Sequence, residues 1–350
     1  MRPLPTVSAP LAPAASAPTD SMSSPLSALR PWLHKEWFML SLMGCVLLAS
    51  LWPTLGQTGG PLHLELVSSW GVALVFFLTG LGLSAAALRD GLLRWRVHLL
   101  VQLCTFAVFP LLWWLLYRLV GRWMPPELAL GFAYLCALPS TISSSVAMTL
   151  MARGNVPAAI FNASFSSLLG IIATPALLVL MLGHGGGALP FGEAVWKLTQ
   201  LLLLPLLAGQ LARPLLLGAY QRHKRWVTLV DRWVILLLVL SAFSDSVAAG
   251  LWHNHGAGLL LATLAGSALL LGVVLWLSRA LARRLGLSLE DEITTVFCGS
   301  KKTLASGVPM AKLLFGAHPA LGVIVLPIMF YHQLQLIVCS WLAQRYAARP

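Results

Sequence analysis

The sequence predicts an all-α polytopic membrane protein. Ten transmembrane helices form two inverted five-helix repeats, and helices four and nine are broken where they cross. Three observations predict this. Hydrophobic residues fill 58% of the 350 positions, charged residues only 10%, and the mean hydropathy is +0.82, whereas soluble domains carry about 25% charged residues. Lys and Arg concentrate in alternate loops. The chain also matches itself when shifted by 162 positions.

Taken in order, residues 1–30 are rich in Pro, Ala and Ser and read as a disordered cytoplasmic tail, without the apolar core and cleavage site of a signal peptide. Residues 31–182 form the first five-helix repeat, with apolar runs at roughly 36–54, 67–88, 98–120, 128–151 and 158–182. Residues 190–345 form the second, with runs at roughly 195–217, 227–249, 257–280, 292–315 and 319–343. Each run is long enough to cross about 30 Å of hydrocarbon.

Charge orients these spans. With the N-terminus inside, the inner segments hold Arg30, Lys35, Arg89, Arg94, Arg96, Arg153, Arg213, Arg222, Arg279, Arg283 and most of the remaining basic residues, while loops 55–66, 183–194 and 250–256 contain no Lys or Arg. That bias places both termini in the cytoplasm; the expected location is the plasma (inner) membrane, with the lipid bilayer as the surroundings. The net charge of +12 therefore reflects inner loops, and no basic patch interleaved with aromatics supports nucleic-acid binding. The five cysteines lie singly in apolar runs and read as buried thiols. His253 and His255 make an HxH pair, too few ligands for a metal site, and no catalytic triad, Walker loop or GxGxxG is present. The expectation is a protein that is not an enzyme and needs no cofactor.

The internal match places Cys136 on Cys298, Thr141 on Thr303, Ser144 on Ser306, Val146 on Val308, Met148 on Met310 and Pro157 on Pro319. Spans four and nine match best. Both carry Pro and a run of small hydroxyl residues near their middle, ALPSTISSSVAMT in the first and CGSKKTLASGVPM in the second. Such composition interrupts the helical hydrogen-bond ladder. Irregular backbone at membrane depth is tolerated where it lines a cavity or is packed in protein, and paired interrupted segments in two halves point to a transport site. Thr141, Ser143, Ser144 and Ser145 in the first segment, and Ser300, Lys301, Lys302, Thr303 and Ser306 in the second, are the site candidates.

The stretches LPSTISSSVAMTLMARGNVPAAIFNASFSSLLGIIATP, residues 138–175, and FCGSKKTLASGVPMAKLLF, residues 297–315, resemble the bile acid:sodium symporter family, most closely its cotransporter-7-like branch. The resemblance implies a core domain of spans three to five and eight to ten, a panel domain of spans one, two, six and seven, and substrate and sodium bound where the broken spans cross. It implies site hydroxyls on span five, at Ser164, Ser166 and Ser167. It aligns Ser144 and Ser145 with a Ser-Asn pair. A Glu and a Gln that ligate sodium in relatives fall on Ser300 and Leu304, so the acidic ligand is missing and two lysines stand beside the gap.

Lys301 lies about nine residues into its span, roughly 13 Å deep, where a lysine costs about 2.5–3.5 kcal/mol without partners. Three readings remain open: an ammonium standing in the space of a sodium ion, an ammonium facing an anionic substrate, or anchoring of the helix to a carboxylate (Glu290, Asp291 or Glu292) or to headgroups at the cytoplasmic end. Proton coupling through either lysine is a further option. Gln333 and Gln335 on span ten, Asn162 on span five and Gln102 on span three either line the cavity or bond helix to helix. Asp245, near the outer end of span seven, is an accessory site residue or a solvated cap. The function expected is secondary transport of a small organic anion by alternating access, with sodium or proton coupling open. The alternative is a membrane receptor or regulator that keeps the fold without transport. The substrate and the oligomeric state are left open.

Overall fold

A computed structural model describes residues 25–66, 70–83, 94–182, 191–316 and 318–349. Arg89, the tail up to residue 24 and most of loop 183–194 lie outside them, as do the side chains of His253 and His255. Among the described residues the chain is all helical, with no strand. It falls into two units, Met1–Leu40 and Ser41–Pro350. The first contributes the opening part of helix α1, Pro25–Leu51, which begins inside the segment assigned to the tail. Everything below concerns the second unit.

Six helices are long and apolar enough to cross a membrane, Trp95–Trp123, Val156–Leu182, Val195–Arg222, Lys224–Ala248, Gly256–Arg284 and Leu321–Ala347. Shorter apolar helices include Val72–Gly82 and Pro126–Ala137. After α1 comes α2, Val72–Gly82. Next come α3, Trp95–Leu103, a π-helical turn at Cys104–Val108, and α4, Phe109–Val120. They are followed by α5, Pro126–Ala137, α6, Ser143–Met151, and α7, Val156–Leu182. The design of α3–π turn–α4 recurs in α8, Phe191–Leu198, a π turn at Thr199–Leu203, and α9, Leu204–Arg222. Then follow α10, Lys224–Ala248, and α11, Leu251–Arg284, with non-helical Gly256 inside it. The chain closes with α12, Leu289–Gly299, α13, Gly307–Phe315, and α14, Leu321–Ala347.

Local chemistry explains the boundaries. Each of these two π turns is followed by a proline, Pro110 in α4 and Pro205 in α9. A proline ring collides with the carbonyl four residues earlier, and widening the turn relieves that collision. Gly286, at φ +66°, turns the chain out of α11, and its neighbour Leu287 bonds back to Ala282 O. Ser288 caps α12 by accepting the Asp291 N–H at 3.3 Å.

Buried helices lie at the centre. From Leu128 to Ala137 every α5 residue is buried, as is every α12 residue from Asp291 to Gly299, and α14 is buried from Leu321 to Met329. A helix buried all round belongs to the interior of a bundle. Peripheral α9 instead exposes Leu211 at 82% and Leu215 at 87%, suited to contact with lipid. α9 packs on α2 through glycines: a Cβ on Gly80 would meet Leu206 O at 2.1 Å, and one on Gly209 would meet Phe77 O at 2.1 Å. Only glycine allows backbones this close.

Candidate functional site: two broken helices and two buried lysines

α5 stops at Ala137 because Leu138 precedes a proline and is extended, at ψ 151°, and Pro139 offers no N–H to continue the ladder. The chain resumes as helix at Ser143. α12 stops at Gly299, and residues 300–306 run irregularly before α13, whose third residue is Pro309. A proline in the first turn removes a donor that has no helical partner there.

The two breaks meet. The Thr303 N–H donates to Pro139 O at 3.2 Å. The Ser140 hydroxyl donates to Cys298 O at 2.6 Å, and Ser145 Oγ to Phe297 O at 3.3 Å. Ser140 and Lys302 are 162 positions apart, as are Cys136 and Cys298. The contacts follow that offset: Ser140 reaches the carbonyl of Cys298, and Lys302 Nζ reaches the carbonyl of Cys136 at 2.9 Å. A side chain from the following long helix serves the backbone N–H at each of these positions. Ser166 Oγ on α7 accepts from Ser140 N at 3.0 Å, and Gln335 Oε1 on α14 accepts from Lys302 N at 2.9 Å.

Both lysines are fully buried, but their surroundings differ. Lys302 Nζ donates to three carbonyl oxygens, Leu138 at 2.6 Å, Cys136 at 2.9 Å and Thr105 at 2.9 Å. Three donors thus find three acceptors. Prolines free these carbonyls. In the π register Phe109 N bonds to Cys104 O, so the next donor, to Thr105 O, would be the N–H that Pro110 lacks. Pro139 ends α5 and frees Cys136 and Leu138. The Phe109 ring lies beneath the ammonium, its centroid 4.0 Å from Nζ, an added cation–π attraction. Among the described residues Lys301 Nζ has one hydrogen bond, to Ser144 O at 2.8 Å, with the Phe297 ring at 5.7 Å.

Several other backbone groups at the breaks are also met. Tyr331 donates to Ser300 O at 2.6 Å, Thr174 to Ala137 O at 2.9 Å, Tyr134 to Gly307 O, and Gln335 Nε2 to Lys302 O at 2.9 Å. Ser300 Oγ is tied to Val296 O at 2.6 Å, and Thr303 Oγ1 accepts from Ser306 N and Oγ. Ser144 Oγ and Ser164 Oγ are buried without a hydrogen-bond partner. Thr141 is buried and Ser143 exposed.

Several expected residues lie elsewhere. Ser167 bonds to Ala163 O within α7, and Asn162 to Ala158 O in the same helix. Gln102 donates to Asn162 at 3.3 Å, a helix-to-helix bond. Gln333 takes no part in the junction, and its Nε2 is buried without a partner. Asp245 accepts from Thr58 N at 2.7 Å and Thr58 Oγ1 at 3.0 Å, tying an exposed turn to the end of α10.

Anchoring of the lysines to the acidic trio is corrected by the structure. Asp291 pairs with Arg94 at 3.3 Å and accepts from Asn155 at 2.8 Å. Glu292 accepts from Arg279 at 3.1 Å, Arg283 at 2.9 Å and Tyr346 at 3.0 Å. Arginine forks from neighbouring helices are better placed for these carboxylates than lysines a full turn or more further along the chain. Glu290 is exposed, and its carboxyl is held below the usual range by its own N–H and by Ser288.

The sodium question is one of fit. The positions that align with the family's acidic and amide ligands are Ser300, tied to Val296 O, and buried Leu304. No carboxylate stands there, and the carbonyls that would surround a monovalent cation surround an ammonium. These residues do not fit a sodium ion as they stand. Sequence reasoning missed Thr105, Cys136 and Tyr331 as site residues, since they act through backbone groups or from other helices; Pro110 was the available signal for the first.

A helical bundle whose centre is two interrupted helices, holding each other through freed backbone, is the architecture of a membrane transporter. The chain belongs to the SBF-like CPA transporter family, whose model matches residues 36–348. It is 45% identical to YfeH of Escherichia coli (strain K12), over 88% of this chain and 92% of that one. It is 32% identical to the sodium/bile acid cotransporter 7 of Danio rerio, over 88% and 92%, and to that of Mus musculus, over 88% and 91%. The protein is a transporter and not an enzyme.

Proposed function

We propose that the protein carries a small organic anion, such as a carboxylate or sulfonate, across the plasma membrane by alternating access, with both termini cytoplasmic. Ten spans in two inverted repeats would form a core and a panel. The two contacts that follow the repeat offset, Ser140 to Cys298 and Lys302 to Cys136, support the inverted plan. The observation that carries the anion reading is Lys301. It is a buried ammonium with one hydrogen bond and no carboxylate partner among the described residues, which leaves donors for an anion.

The test is uptake of labelled carboxylates and sulfonates into liposomes holding the purified protein, with and without sodium and a pH gradient. Saturable uptake that falls at least about tenfold in Lys301→Ala supports the reading, since a charged hydrogen bond contributes about 1.5–3 kcal/mol. Uptake equal in wild type and variant overturns it. Binding without flux would instead make the protein a receptor. Proton coupling through Lys301 is examined in the same vesicles: a rate unchanged from about pH 5 to pH 9 removes it.

A further inference from the structure

We infer that Lys302 is a built-in cation. Its ammonium permanently fills a monovalent-cation site made of the Thr105, Cys136 and Leu138 carbonyls, and the site binds a free alkali cation once the lysine side chain is cut away. Three backbone oxygens at 2.6–2.9 Å converge on one point, with an aromatic face below. Backbone carbonyls that converge in this way are a cation shell in their own right, as in ion-selective filters. They are also preformed, because the prolines at 110 and 139 leave them no helical donors. Gln335 fixes the backbone of Lys302 from both sides, accepting from its N–H and donating to its carbonyl, so the ammonium is held in place. A fixed ammonium cannot leave and return with each cycle. A sodium gradient therefore has no exchangeable ion to act on at this place.

The inference shares its site with the transport reading but is measured on the purified protein, so failure of uptake leaves it standing. Thermal unfolding in detergent is followed in sodium, lithium, potassium or choline chloride at equal ionic strength, with 22Na+ binding measured alongside. Wild type should bind no 22Na+ at the junction, and its Tm should not move between sodium and choline. Lys302→Ala should lose about 5–10 °C, as expected for stranded buried carbonyls. Small alkali cations or methylammonium should restore at least half of that loss, and choline should not. Lys302→Met fills the space with an apolar chain and should stay destabilised in every salt. Lys301→Ala should gain no cation dependence. A Lys302→Ala protein that no small cation rescues would make the lysine a mere cross-link and overturn the inference. If that variant does not accumulate, the wild type still decides, since a Tm raised by sodium over choline, or saturable 22Na+ binding, contradicts a site already filled.

Discussion

Gln335 shows how much one side chain can determine at the junction. It accepts from the Lys302 N–H, donates to the Lys302 carbonyl, and meets His332 Nδ1 at 2.9 Å. Gln335→Leu keeps the volume but strands two buried backbone groups. It should cost about 2–4 kcal/mol, read as a lower midpoint of thermal unfolding in detergent. Tyr331→Phe removes one donor to Ser300 O and should cost less, about 1–2 kcal/mol. If Gln335→Leu were as stable as wild type, Lys302 would not be held by its backbone. The lysines themselves were visible in the sequence, because two ammonium groups in an apolar run are rare. Their partners were not. Three acceptors of Lys302 are main-chain oxygens, which have no residue type to read, and they come from spans far apart in the chain.

At the level of elements, prolines and glycines govern what the helices can do. Pro110 follows the π turn and leaves the Thr105 carbonyl to Lys302. Pro110→Ala restores the missing N–H, so the turn should tighten towards an ordinary α-helix and draw that carbonyl back. Alanine is the better helix former, yet the protein should be less stable by about 1 kcal/mol, the scale of one hydrogen bond. A stabilised Pro110→Ala protein would show that the π turn does not serve the lysine. The crossing of α2 and α9 gives a second test. A Cβ on Gly209 would lie 2.1 Å from Phe77 O, whereas one on Gly218 would meet nothing within 4 Å. Gly209→Ala should cost about 1–3 kcal/mol of stability through overpacking, and Gly218→Ala should be silent in the same thermal assay. The breaks at Pro139 and after Gly299 followed from composition. The π turns did not, since a proline near a helix start is also compatible with a plain first turn.

For the whole molecule, the packing of α10 against the α13–α14 region includes two hydrogen bonds. Lys312 Nζ donates to Ser241 Oγ at 2.7 Å, and Gly322 N donates to Ser246 Oγ at 2.7 Å. If panel and core separate during transport, these contacts must open. A Ser241→Cys and Lys312→Cys pair, bridged by a short thiol cross-linker, should abolish uptake in liposomes, and cleavage of the bridge should restore it. Uptake that persists in fully bridged protein would contradict relative movement at this place. The acidic trio makes the complementary point. Its sequence position allowed pairing with the lysines, but folding brings Arg94, Arg279 and Arg283 to Asp291 and Glu292 instead.

The sequence by itself determined a helical membrane protein with two interrupted, matching segments and two buried charges, because hydropathy, proline and charge act through local chemistry that any reader of the chain can apply. Only the tertiary structure decided what the charges meet. Lys301 and Lys302 are chemically identical neighbours, yet one has a single carbonyl and the other has three. That difference arises from backbone oxygens released by prolines at 110 and 139, brought together by packing of α4, α5 and α12. Periodicity and composition carry no record of which carbonyls converge in space.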